Sequence, residues 1–126
     1  MRILVVEDHP VELKLADHVL TAAGHAVSGA RNAEEAFAAI KEARPQIVLL
    51  DVLLPGMNGL ALARELKADP ETCDIPIIAI TSHPERFSKK DALDAGCDAY
   101  LVKPVSTRRL PQELSYVVDR GGGNPS

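Results

Sequence analysis

Tryptophan is absent from this chain, and phenylalanine and tyrosine supply two residues each. With aromatics at 3 %, a core has to be built from Val, Leu, Ile and Ala, a composition that suits layered α/β packing. Cysteine is scarce too. Cys73 and Cys97 form no CxxC pair and no metal-ligand cluster, so they read as reduced thiols and not as a disulfide framework. No run approaches the ~20 apolar residues of a membrane helix. The N-terminal MRILVVEDHP is too short an apolar run, with acids too close behind it, for a signal peptide. Basic excess is also missing: 14 Lys and Arg stand against 18 Asp and Glu, a formal charge of −4, which argues against sequence-independent nucleic-acid binding. The expectation is a cytoplasmic protein with no membrane contact and no direct nucleic-acid contact.

What is present suits one domain: 126 residues, 46 % of them apolar. Short apolar runs at Ile3–Val6, Ala26–Ser28, Ile47–Leu50, Ile77–Ile80 and Ala99–Val102 alternate with segments of helical period. Three of these runs are nearly continuous hydrophobes, as in strands covered on both faces. The weaker, more polar Ala26–Ser28 belongs at a sheet edge. Helices are predicted over Val11–Ala23, with Leu13, Ala16, Val19, Leu20 and Ala23 inward, and Gly24 following as the C′ residue. Others are predicted over Ala33–Ala43, capped by Asn32 with Glu35, and over Leu60–Ala68 after Gly59. The last two cover about Ser88–Ala95, ending at Gly96, and about Thr107–Asp119. Five strands alternating with five helices imply a doubly wound parallel sheet linked by right-handed crossovers. Residues 1–120 form the domain, and GGGNPS, 121–126, reads as a flexible tail or the start of a linker.

In such a sheet, ligands bind outside the carboxyl ends of the strands. Glu7 and Asp8 follow the first strand, Asp51 ends the third, Thr81 and Ser82 follow the fourth, and Lys103 and Pro104 follow the fifth. Asp51 interrupts the branched run VLLDVLL, where burying an unpaired charge costs several kcal/mol. At a strand end it reaches solvent and neighbours instead. Three carboxylates brought together repel one another unless one is protonated or a cation joins them. Oxygen ligands with no His or Cys arrangement favour Mg²⁺ or Mn²⁺, which also draws in phosphate oxygens. No histidine stands at a neighbouring strand end to activate a serine or thiol. The exposed carboxylate is then the natural nucleophile toward a phosphoryl donor.

The pieces ILVVEDHP, IVLLDVLLPGMNG, PIIAITS and DALDAGCDAYLVKP, in this order and spacing, resemble the receiver domain of two-component response regulators over Arg2 to about Arg120. The resemblance implies a flavodoxin-like fold with strand order 2-1-3-4-5. It implies that Asp51 accepts a phosphoryl group from a phosphohistidine on a sensor histidine kinase or a histidine phosphotransfer protein. Glu7, Asp8, Asp51 and the backbone carbonyl of Leu53 would bind Mg²⁺, while Thr81 and Lys103 would bind the phosphoryl group. Tyr100 matches the aromatic switch position that moves with Thr81, and the Lys103–Pro104 peptide is expected to be cis. Leu53 and His83 occupy positions that resemble those tuning hydrolysis of the phosphoaspartate. Output would pass to a downstream protein through the fourth helix, fifth strand and fifth helix, and the resemblance admits a phosphorylation-dependent homodimer. No enzyme activity is expected beyond Mg²⁺-dependent self-phosphorylation and self-dephosphorylation. The chain would be a free-standing receiver or one excised from a longer regulator or hybrid kinase.

Two other functions fit parts of the pattern. A Mg²⁺-dependent phosphatase of the haloacid dehalogenase type also uses an aspartate nucleophile with a Thr and a Lys. It needs a second aspartate two residues on as general acid, where this chain has Leu53. A pseudo-receiver that is never phosphorylated would serve as an interaction module, but such proteins usually lose one of the acids or the lysine, all present here. Taken singly the residues have plainer readings. Glu7 and Asp8 suit a helix N-terminus, His9 an exposed first turn, and His18 and His25 the surface. Pro55 and Gly56 suit a turn, Gly59 a close helix approach, and Arg108 and Arg109 a solvated helix start.

Overall fold

The computed structural model describes residues 1–54, 57–104 and 109–119; Pro55, Gly56, Thr107, Arg108 and the glycine tail fall outside them. Five strands, β1 (Arg2–Val6), β2 (Ala26–Ala30), β3 (Ile47–Asp51), β4 (Ile77–Thr81) and β5 (Ala99–Val102), form one parallel sheet in the order β2-β1-β3-β4-β5. Five helices alternate with them: α1 (Pro10–Ala22), α2 (Ala33–Glu42), α3 (Gly59–Ala68), α4 (Lys89–Asp94) and α5 (Arg109–Asp119). The chain is a flavodoxin-like α/β fold. A small antiparallel ribbon, Leu53–Leu54 against Met57–Asn58, sits between β3 and α3 and has no counterpart in the sequence-based expectation.

The continuous apolar strands have two faces to cover, and alternate residues serve each. Ile3, Val5, Leu49, Ile78 and Ile80 pack with Leu20 of α1 and Leu110, Leu114 and Val117 of α5. Leu4, Val6, Leu50, Ile77 and Ala79 pack with α2, α3 and α4 through Ile40, Leu62, Leu66 and Ala92. Each such Leu, Ile or Val contributes about 1.5–3 kcal/mol when fully buried. Weak β2 lies at the edge, with only Ala30 fully buried.

Helix ends follow local chemistry. Asn32 Oδ1 accepts the Glu35 N–H at 2.8 Å, while the Glu35 carboxylate reaches back one residue further, to the Arg31 N–H. Ser88 and Asp91 form a reciprocal capping box at α4. Gly24, at φ +94°, closes α1. Two expectations need correction. Ala23 is exposed because it caps the helix, and within α1 only Leu20 is fully buried. His25 is half-buried, with Nδ1 3.1 Å from the N-terminal amine; burial, and then that ammonium, holds it below the usual imidazole range.

At the edge remote from the carboxylates, Lys67 Nζ donates to the Ile75 carbonyl at 2.8 Å and to Asp98 Oδ2 at 3.2 Å. Asp98 Oδ2 also accepts the Ile77 N–H. This pair ties α3 to the starts of β4 and β5.

Candidate functional site

Strand register gathers the chemistry. Val6 lies beside Ala30 and Leu50, Asp51 beside Ile80, and Thr81 beside Val102. The ladder then runs past the strand ends: Glu7 N–H donates to Ala30 O, Val52 N–H to Ile80 O, and Lys103 N–H to Thr81 O. Each functional side chain therefore leaves a backbone already fixed by the sheet. Gly59 brings α3 against the same point. Its N–H donates to Val52 O at 2.6 Å, and a Cβ there would lie 2.6 Å from Asp51 O. Asn58 caps that helix by accepting the Leu60 N–H.

Carboxylate oxygens of Glu7, Asp8 and Asp51 lie within 4.8 Å of one another. Lys103 Nζ stands among the acids, 2.8 Å from Glu7 Oε1, 3.0 Å from Asp51 Oδ2 and 3.2 Å from Glu12 Oε1. Asp51 Oδ1 accepts the Leu53 N–H at 3.0 Å, and Glu7 Oε2 accepts the His9 N–H at 3.2 Å. Burial and the neighbouring Asp51 push the Glu7 carboxyl up to about 7, against the opposing pull of Lys103. Burial disfavours the Lys103 ammonium, but its bonds to Glu7 and Asp51 outweigh this and hold it well above the usual lysine range.

The acids open into a pocket of about 330 Å³ that also contains Asp8, His9, Leu53 and Leu54. An apolar cleft of about 370 Å³ adjoins it, lined by Val5, Leu15, Val19, Leu49 and Leu110. Glu7, Glu12, Asp51, Ser82 and Lys103 line both. The donor set, three carboxylates with no His or Cys among them, suits a hard cation such as Mg²⁺, which Glu7, Asp8 and Asp51 would hold.

Thr81 is fully buried, and its Oγ1 accepts the His83 N–H at 2.9 Å. His83 thus touches the site through its backbone. Its imidazole is aimed at Glu85, with Nδ1 3.4 Å from Oε1, and Ser82 lines the pocket in its place. Tyr100 is half-buried, and its hydroxyl donates to the Phe87 carbonyl in the loop before α4. The Lys103–Pro104 peptide is cis. Leu53 is 39 % exposed at the pocket wall. Glu12 is the member sequence reasoning missed. Its only signal was an acid in the first turn of α1, close behind the acid pair.

A family model described as the response regulator receiver domain matches residues 3–115. The chain belongs to this family. The receiver is 40 % identical over 124 residues to the phosphate regulon transcriptional regulatory protein PhoB of Pseudomonas aeruginosa, covering 98 % of this chain and 54 % of that protein. It is 34 % identical to the polar-differentiation response regulator DivK of Brucella anthropi, covering 93 % of this chain and 96 % of that one. The receiver thus spans about half of one relative and nearly all of the other. Among solved structures, the receiver domain of NtrX from Brucella abortus superposes with a TM-score of 0.85 at 30 % identity, covering 93 % of this chain and 98 % of that one. A sensor histidine kinase receiver domain from Pseudomonas aeruginosa superposes with a TM-score of 0.80 at 29 % identity, over 98 % of each chain; it carries a magnesium ion in its active site cleft. Among the described residues, no helix is long and apolar enough to cross a membrane.

Proposed function

We propose that this receiver takes a phosphoryl group from a phosphohistidine onto Asp51, with Mg²⁺ or Mn²⁺ at Glu7, Asp8 and Asp51, and signals through a surface switch. The observation that carries the reading is the seat of Asp51: an 11 %-exposed carboxylate, 3.0 Å from Lys103 Nζ, with two further acids around it. A carboxylate oxygen of Asp51 attacks phosphorus as the P–N bond of the donor breaks, and the electron pair leaves with the imidazole nitrogen. A cation held by Glu7, Asp8 and Asp51 would supply charge neutralisation for the transferring oxygens. Lys103 supplies a second positive charge, and Thr81 and the Leu53 N–H supply hydrogen bonds. The Leu53 carbonyl is assigned to the cation, while its side chain occupies the wall where a phosphatase would need a second acid. Self-phosphorylation and self-dephosphorylation therefore suit the site better than phosphomonoester turnover. The Leu53 side chain shields the phosphoaspartate from water, and His83 acts on it through Thr81.

The switch follows from the hydrogen bonds to be exchanged. A phosphoryl oxygen on Asp51 accepts the O–H of Thr81, and drawing that side chain toward Asp51 pulls on the bond its Oγ1 accepts from the His83 N–H. Moving Thr81 shifts the loop that holds Phe87, and Tyr100 is bonded to that loop. The population shift is then read on α4, β5 and α5, where Leu93, Val102 and Tyr116 are exposed. A downstream protein or a second receiver docks there. Val11 and Leu15, exposed one turn apart on α1 beside the cleft, suit the phosphodonor, a sensor histidine kinase or a histidine phosphotransfer protein.

The test is intact mass after incubation with acetyl phosphate and Mg²⁺. Wild type gains one phosphoryl group, while chelator or Asp51→Asn abolishes the gain. No gain in wild type, or an undiminished gain in Asp51→Asn, removes the proposal.

A further inference from the structure

An ammonium has three donors and no acceptor. Lys103 has three carboxylate partners at hydrogen-bond distance: Glu7 at 2.8 Å, Asp51 at 3.0 Å and Glu12 at 3.2 Å. Its donor set is full before any phosphoryl group arrives. Acylation takes the charge off the Asp51 carboxylate and hands that donor to one phosphoryl oxygen. For Lys103 to follow the larger group outward, or to bond a second phosphoryl oxygen, one of the other two bonds has to be given up. The three partners are not equivalent. The Glu7 side chain is 7 % exposed and that of Asp51 11 %, whereas that of Glu12 is 44 % exposed and makes the longest of the three bonds. Releasing Glu7 would leave a buried carboxyl without its cation, to be discharged by uptake of a proton. Glu12 returns to water at little cost.

We infer that Glu12 is a latch on Lys103: it holds the ammonium in the unphosphorylated receiver and is the partner released when Asp51 is modified. The inference rests on the phosphoacceptor reading and extends it to a residue outside the acid trio and the Thr81–Lys103 pair. Glu12 is a positioning residue. It touches Lys103, lies at the shared mouth of the acid pocket and the apolar cleft, and biases the site against the modified state. Its placement is local: Glu12 stands in the first turn of α1, two residues after Pro10, and reaches Lys103 from there.

A latch and a simple charge repulsion predict different variants. Glu12→Gln removes the charge and weakens the bond. Glu12→Asp keeps the charge but is one methylene too short for the contact. The measurement is the affinity of the full chain for beryllofluoride at saturating Mg²⁺, by fluorine NMR or calorimetry, with a thermal melt of each variant to confirm folding. Both variants are expected to bind about two- to fivefold more tightly than wild type, the range of a partly exposed ion pair. Glu42→Gln, at the exposed C-terminal end of α2, is expected to match wild type. If Glu12→Asp matches wild type while Glu12→Gln tightens, the effect is net charge and the latch is wrong. If neither variant changes affinity, Glu12 is a surface ion pair and the latch is again wrong. Failure of wild type itself to bind beryllofluoride would overturn the phosphoacceptor reading as well, so the two failures are told apart.

Discussion

Gly59→Ala is the substitution whose consequence is most directly fixed by geometry. A Cβ at residue 59 would lie 2.6 Å from Asp51 O, 2.7 Å from Val52 Cα and 2.7 Å from Val52 O. Ordinary contacts begin at 3.4 Å, so α3 has to withdraw by about 0.8 Å. All three obstacles are backbone atoms, one at the end of β3 and two in Val52, whose N–H is bonded to Ile80 O, and no flexible side chain can give way. Overpacking of this kind costs about 1–3 kcal/mol. The loss of backbone entropy on replacing a helix-start glycine returns a few tenths of that, up to about 1 kcal/mol. The net loss is about 1–2 kcal/mol, which in a domain of this size lowers Tm by roughly 3–8 °C. The Gly59–Val52 hydrogen bond is strained by the same displacement, so the backbone that presents Asp51 shifts too. Acetyl phosphate labelling should therefore slow more than stability alone explains. Gly29→Ala is the internal control, since the three atoms nearest its Cβ all belong to the Leu13 side chain, the first at 3.2 Å. Differential scanning calorimetry of both variants decides the matter. A Gly59→Ala Tm within 1 °C of wild type, or equal losses in both variants, refutes the reasoning.

Other consequences follow from the same structure. Glu7 binds its proton more tightly folded, near pH 7, than the ordinary value of 4.5. In chelator, its contribution is complete below about pH 4.5 and is lost as pH rises toward 7, by up to about 3 kcal/mol; Glu7→Gln should flatten this part of the Tm–pH curve. An unchanged slope in Glu7→Gln assigns the titration elsewhere. Ser88→Ala removes the acceptor of the Asp91 N–H and half of the α4 capping box. It should cost about 1 kcal/mol, measured by urea denaturation, and should raise amide exchange in α4 first.

Much of the fold was legible because parallel sheets announce themselves: LVV, IVLL and IIAI are apolar on both faces, and a strand covered on both faces has to alternate with helices. The site was legible for the same reason. Once the strands are parallel, Glu7, Asp51, Thr81 and Lys103 share an edge whatever their separation in sequence. Contacts that depend on side-chain reach were not legible. Glu12 meets Lys103 across 91 residues and Lys67 meets Asp98 across 31, with no periodicity to link them. The His83 imidazole follows Glu85 and the Tyr100 hydroxyl follows Phe87, choices made by loop geometry. The ribbon at Leu53–Leu54 is too short to leave a pattern.

The central claim is that Asp51 carries an acyl phosphate. The most direct measurement is to label the receiver with acetyl phosphate and Mg²⁺, digest it, and map the phosphoryl group by mass, with and without hydroxylamine. The account predicts a single label at Asp51 that hydroxylamine removes, as it does from acyl phosphates. A label on any other residue, or one that resists hydroxylamine, contradicts it.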